Sequence, residues 1–139
     1  MALYMLDTDM ASYLVKGTFS GLDVRISATP HEQLCISAVT RGEMLYGIRL
    51  KEGAHRLAPV IDQFLRRMPC LAWDESAATR FADVAAELHK AGTPIGSMDA
   101  MIAGHAMAAD AVLVSNNARH FGRISGLRLE NWAQGQQGH

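Results

Sequence analysis

The sequence predicts an α/β fold of three layers, with a central parallel sheet of about five strands flanked by helices on both faces. Two observations predict it. Short apolar runs alternate with longer helical patterns along the whole chain, and strands separated by helices pair in parallel through right-handed crossovers. The composition, 49% hydrophobic and 19% charged over 139 residues, is that of one ordered domain with a sizeable core.

The elements follow in order. Residues 3–6 form an apolar first strand, and helical patterns cover about 9–16 and 20–28. Residues 34–36 form the second strand. Ser37 is placed to N-cap a helix over 38–52, with Gly53 following its end. The next helix, 55–67, contains Pro59, which belongs in the first turn, where a missing N–H costs little. A third strand is expected at 71–73, and Asp74 can cap a helix over 75–91 that stops at Gly92, with Pro94 beyond. The most apolar helix covers 98–109; strands at 111–114 and 127–129 close the pattern. Residues 1–133 read as one domain, and residues 134–139, rich in Gln and Gly, as a frayed tail. No internal repeat, low-complexity tract or linker interrupts the chain.

Lys and Arg (13) nearly cancel Asp and Glu (14), so the net charge is -1 and no global attraction to nucleic acid follows. A nucleic-acid partner needs a local basic patch beside any acidic centre. Cys35 and Cys70, each in a short apolar run and without a CxxC neighbour, read as buried free thiols in a reducing cytosol. No signal-peptide pattern opens the sequence. The apolar segment 100–114 is broken by His105 and Asp110 and is too short to span a bilayer. A soluble cytoplasmic protein is expected.

Three carboxylates carry the chemistry. Asp7 directly follows the first strand, at the edge where parallel sheets place their sites; the simpler role is that Asp7 or Asp9 N-caps the next helix. Glu43 lies on a line with Val39, Tyr46 and Leu50 that would face a core, with Gly42 and Gly47 leaving space beside it. A solvated Glu belongs on the face of Thr40 and Lys51, and burying a carboxylate costs several kcal/mol without compensation. Asp99 opens the most apolar helix. The helix dipole alone could explain it, but Ser97 competes as N-cap and would leave Asp99 free to point elsewhere. The three acids fall in three strand–helix units that converge in a doubly wound sheet. Two carboxylates ~5 Å apart repel by ~3 kcal/mol at an effective dielectric near 20, so such a cluster needs protons or a divalent cation. Oxygen donors without thiolate or imidazole favour Mg²⁺ or Mn²⁺. A cation so held activates water at a phosphodiester.

The runs at 5–9 (MLDTD), 36–47 (ISAVTRGEMLYG), 94–106 (PIGSMDAMIAGHA) and 113–121 (LVSNNARHF), with 127–132 after them, resemble the VapC toxins of the PIN-domain family over nearly the whole chain. The resemblance implies a PIN-like fold and a Mg²⁺- or Mn²⁺-dependent endoribonuclease whose acids map to Asp7, Glu43 and Asp99. It implies cleavage of structured RNA, including the anticodon region of initiator tRNA. It also implies a VapB-like antitoxin whose C-terminal segment occupies the acidic pocket, and a homodimer that joins larger toxin–antitoxin assemblies. Asn117 stands where many PIN domains carry a fourth acid. It can ligate through its carbonyl or hold a water but brings no charge, which favours one strong metal site held by Asp7 and Asp99. Ser115 is expected to hydrogen-bond and orient a carboxylate.

His105, on the apolar helix, reads as a core histidine satisfied by a hydrogen bond, and Met98, Met101 and Met107 as core packing. Arg41 and Arg119 are the better candidates for phosphate contacts among residues that otherwise form solvated faces. Two rival functions stand beside the nuclease. A haloacid-dehalogenase-like phosphatase also opens on a DxD after its first strand but needs a late acidic pair, where this chain has Ser115-Asn116-Asn117. A binding-only module would hold RNA or antitoxin without cutting.

Overall fold

The computed structural model describes residues 1–51 and 56–134. Along the chain lie β1 (Tyr4–Leu6), α1 (Thr8–Lys16), α2 (Ser20–Ala28), a 3-10 turn (His31–Gln33), β2 (Leu34–Ser37) and α3 (Ala38–Leu50). They are followed by α4 (Ala58–Arg67), β3 (Cys70–Leu71), α5 (Glu75–Lys90), α6 (Ser97–Ala108), β4 (Val112–Val114), α7 (Ala118–Phe121) and β5 (Leu129–Glu130). The strands form one sheet in the order β3-β2-β1-β4-β5, parallel throughout, with Leu6 level with Ile36 on one side and Val114 on the other. The chain builds outward from β1 in one direction, then returns to its other side with β4. The crevice where that reversal occurs lies at the carboxyl ends of β1 and β4, and such folds bind ligands there.

Strand alternation separates two cores. Met5, Cys35 and Leu113 pack on one face against Val84 and Leu88 of α5 and Ile102, Ala103 and Ala106 of α6. Leu6, Ile36 and Val114 face the other way, onto Met10 of α1, Leu22 of α2, Met44 of α3, Ile61 and Leu65 of α4, and Trp132. Because both faces are covered, the strands read as continuous apolar runs. Helices α5 and α6 approach so closely that a Cβ on Gly104 would stand 2.5 Å from the Phe81 backbone nitrogen.

Several expected boundaries hold. Ser37 Oγ accepts the Val39 N–H at the start of α3, Asp74 accepts the Ala77 N–H at the start of α5, and Pro59 lies in the first turn of α4. Gly92, just past α5, adopts φ +75°. Other boundaries move. Gly96, not Ser97, is the N-cap of α6, which begins one residue earlier than expected. Strand β3 is Cys70–Leu71 and leaves Trp73 outside the ladder, its indole N–H donating to the Met101 carbonyl. Strand β5 lies at Leu129–Glu130 because Gly126, at φ +80°, turns the chain just before it. Helix α7 escapes the sequence pattern, being a single turn capped by Asn117. Cys35 is buried as expected, but Cys70, on the edge strand, is exposed; both are free thiols. The expected Gly53 stop and the first residue of the 55–67 helix lie outside the described residues, as do residues 135–139. The Gln134 carbonyl accepts the Gly21 N–H.

Candidate metal centre at the sheet edge

Asp7 leaves β1 with its backbone N–H bonded to the Val114 carbonyl at 3.0 Å, so the sheet ladder itself fixes where its side chain starts. The side chain is 4% exposed. Its Oδ1 accepts the Met10 N–H at 2.8 Å, so Asp7 is the N-cap of α1. Capping and a place at the sheet edge were alternatives in the sequence; here one residue has both. The Ser115 hydroxyl, at the carboxyl end of neighbouring β4, also bonds the Asp7 carboxyl. Burial nevertheless pushes the Asp7 pKa up to about 6, against those two hydrogen bonds and with the charges of Asp9 and Asp99 adding to it.

Asp99 sits in the first turn of α6, half-buried. Burial raises its pKa, Asp9 raises it further, and His120 works against both. The His120 Nδ1 lies 3.9 Å from Asp99 Oδ2. Asp7, Asp9 and Asp99 therefore form a group of mutually repelling charges at one end of the sheet. Asp9 was expected mainly as a cap. Its place in this group follows from standing two residues after Asp7 at the strand exit.

Glu43 approaches from α3 by another route. Thr8 Oγ1 donates to its Oε1 at 2.6 Å and lies 3.1 Å from Thr40 Oγ1. Glu43 is thus tied to the residue next to Asp7, and it lines a cleft between α1, α3 and α4 with Ser12, Lys16 and Ile48. The buried face of α3 is not the one expected. Thr40 is fully buried and Met44 nearly so, while Tyr46 and Leu50 are 65% and 64% exposed. Thr40 is tolerated inside because its hydroxyl has a partner in Thr8. Among the described residues, no three His, Cys, Asp or Glu side chains are grouped so as to hold a metal ion as they stand. The structure brings Asp7 and Asp99 into electrostatic contact, whereas Glu43 is linked to this edge through Thr8, the residue after Asp7.

Asn117 caps α7. Its Oδ1 accepts the His120 N–H at 3.3 Å, its Nδ2 lies 3.0 Å from His120 Nδ1, and its own N–H donates to Ser115 Oγ at 2.9 Å. His120 had no assigned role in the sequence; its signal is a position one helical turn after Asn117. His105 is the satisfied core histidine expected. Its Nδ1 lies 2.7 Å from Ser37 Oγ, its ring also bonds the Ala72 carbonyl, and burial lowers its pKa. Met98, expected in the core, is half-exposed at the start of α6. Arg41 and Arg119 are exposed; Arg41 stands near Cys70, where its charge lowers the thiol pKa against the effect of burial.

Comparison with known proteins agrees with this architecture. The PIN-domain family profile matches residues 4–127. The chain is 37% identical over 133 residues to the tRNA(fMet)-specific endonuclease VapC of Shigella flexneri, covering 96% of this chain and 100% of that protein. It is 38% identical over 132 residues to Ribonuclease VapC2 of Haemophilus influenzae, with 95% and 99% covered. Among solved structures, DNA-bound VapBC from Salmonella typhimurium superposes with a TM-score of 0.87 at 36% identity, over 95% of this chain and 99% of that one. VapBC2 from Rickettsia felis, bound to a promoter DNA fragment, gives 0.85 at 29% identity, over 94% and 98%.

Proposed function

The chain belongs to the PIN-domain family, and from that premise we propose that it is a divalent-metal-dependent endoribonuclease, the toxin of a toxin–antitoxin pair acting in the cytoplasm. The observation that carries this reading is the buried Asp7 carboxyl at the switch point of the sheet, its pKa raised to about 6 by burial first, with the charges of Asp9 and Asp99 adding to it. Repelling carboxylates that share one edge gain most from a cation. The donors available there are oxygens without thiolates, which fits a hard ion, Mg²⁺ or Mn²⁺. Asp7 and Asp99 would hold it, with Glu43 adjacent. When bound, such an ion supplies positive charge at a phosphoryl oxygen and lowers the pKa of water.

The chain's own residues prepare that chemistry. Ser115 and the Met10 N–H fix the Asp7 carboxylate. The Thr8 hydroxyl holds one oxygen of Glu43 and leaves the other to accept a proton from an attacking water. Exposed Arg41 and Arg119 supply phosphate contacts around an otherwise acidic edge.

The substrate is a structured RNA, with the anticodon region of initiator tRNA the first candidate, because VapC relatives at 36–37% identity are named tRNA(fMet)-specific endonucleases. The partner is a VapB-like antitoxin, as in the VapBC complexes that superpose on this chain, and the toxin is expected to form a homodimer within that assembly. Among the described residues no helix is long and apolar enough to cross a membrane.

The test is cleavage of initiator tRNA by purified protein. Cutting should require Mg²⁺ or Mn²⁺, stop with EDTA and return when Mn²⁺ is restored. Asp7→Asn and Asp99→Asn should each lose activity beyond the roughly 10–100-fold typical of residues that only support a metal ligand, and should relieve growth arrest. Binding of the RNA without cleavage under every metal condition would favour a binding-only module, since Asn117 serves as a helix cap rather than a fourth acid.

A further inference from the structure

Donor and acceptor chemistry fixes the state of the His120 ring. Its backbone N–H can only donate, and Asn117 Oδ1 accepts it at 3.3 Å. The amide nitrogen Nδ2 of Asn117 is therefore the atom that stands 3.0 Å from ring nitrogen Nδ1, and an amide nitrogen can only donate. Nδ1 is then an unprotonated acceptor, and the proton of the neutral ring sits on Nε2. Asp99 Oδ2, at 3.9 Å, lies beyond hydrogen-bond reach of Nδ1 and keeps its lone pairs for a cation. Among the described residues no hydrogen bond engages the Nε2–H, and the His120 side chain is 42% exposed.

We propose that His120 is a substrate-binding residue: Asn117 holds it as the Nε2–H tautomer, and that N–H donates to a phosphate oxygen of RNA beside the metal centre, with Arg119 and Arg123 supplying positive charge. Three features support it. The platform is fixed, because the Asn117 N–H donates to Ser115 Oγ at 2.9 Å and the buried Phe121 and Ile124 root the turn in the core. Arg119 and Arg123 are both exposed, which makes 119–123 the local basic stretch that a chain of net charge -1 needs for RNA. The ring stands against Asp99, so a phosphate met there lies next to the ion that Asp7 and Asp99 would hold. A neutral donor suits this place, because an imidazolium would pair with Asp99 and compete with the cation. The inference rests on the nuclease reading above, and its test separates the two.

Binding of initiator tRNA to the full-length protein is measured in EDTA over a range of salt, for wild type, His120→Ala, Arg119→Ala and Arg123→Ala, with thermal melts as the control for folding. Mn²⁺ affinity is measured without RNA, and nitrogen NMR of the wild-type imidazoles at pH 7.5 reads the tautomer. His120 should be protonated at Nε2 and not at Nδ1. His120→Ala should weaken tRNA binding about tenfold, the worth of one hydrogen bond to a charged acceptor. The slope of log K against log salt should stay as in wild type, because no charge is lost. Each arginine variant should instead make that slope shallower by roughly 0.7–0.9. Mn²⁺ affinity should be the same in His120→Ala and wild type. The proposal is overturned if His120→Ala binds tRNA like wild type, if it makes the slope shallower as loss of a cation does, if it weakens Mn²⁺ binding, or if Nδ1 carries a proton. Wild-type protein that binds tRNA but leaves it intact with Mn²⁺ would overturn the nuclease reading and not this contact; wild-type protein that binds no tRNA would overturn both.

Discussion

At the scale of single residues, Asp7 sets the behaviour of the site. Its carboxyl titrates at about 6 in the folded protein against a reference value of 3.8. Between these values the folded chain holds a proton that the unfolded chain has released, so stability falls as pH rises through this window. In metal-free protein the full penalty, about 3 kcal/mol for a shift of this size, is present above pH 6 and absent below the unfolded value. Asn in its place keeps an acceptor for the Met10 N–H and removes the charge. In EDTA, Asp7→Asn should therefore be more stable than wild type at pH 7.5 by one to a few kcal/mol, roughly, and indistinguishable from it near pH 3.5. Urea unfolding at the two pH values checks this; equal stability at pH 7.5 would mean that the carboxyl is solvated. Asp7 was legible in the sequence because a carboxylate directly after an apolar strand has few places to go. The place of His120 near Asp99 was not legible, since it depends on Asn117 turning the chain through α7, a helix too short to show periodicity.

At the scale of elements, the strands were the clearest part of the sequence, because burial on both faces leaves each as an apolar run. Their ends were less clear. Strands β3 and β5 are two residues each, and Gly126 rather than apolarity decides where β5 begins. Helix α3 shows a different limit. The apolar line through Tyr46 and Leu50 suggested the core face, yet these two are exposed, and the polar Thr40 is buried because Thr8 reaches it from α1. A hydroxyl pair between two helices leaves no trace in one helix's pattern, so Glu43 was found for a partly mistaken reason. The α5–α6 contact rests on Gly104, where a Cβ would meet the backbone of Arg80 and Phe81. Gly104→Ala should separate the helices and destabilise the fold by about 1–3 kcal/mol, the usual cost of overpacking. A lower thermal midpoint with retained Mn²⁺ binding is the expected outcome; an unchanged midpoint would show that α5 moves aside freely.

At the scale of the whole molecule, the parallel order β3-β2-β1-β4-β5 brings together residues more than a hundred positions apart in sequence: Asp7 and Ser115 meet because β1 and β4 are neighbours. Alternating strands and helices predicted that convergence. They did not predict that Glu43 would stand apart behind Thr8, because side-chain direction at an edge is set by partners on other elements. With a net charge of -1, RNA must be held by local cations against an acidic centre. Affinity for initiator tRNA should then fall linearly on a plot of log K against log salt, measured with Asp99→Asn to prevent cutting. A flat response would remove phosphate contacts as the source of binding.

In the proposed function, Asp7 and Asp99 share one divalent ion at the carboxyl edge of the sheet. Anomalous diffraction from crystals soaked in Mn²⁺ tests it most directly. One strong peak is expected within about 2.0–2.6 Å of oxygens from both carboxylates, the range of hard-cation coordination. A peak at another place, or none at saturating Mn²⁺ at pH 7.5, would contradict it.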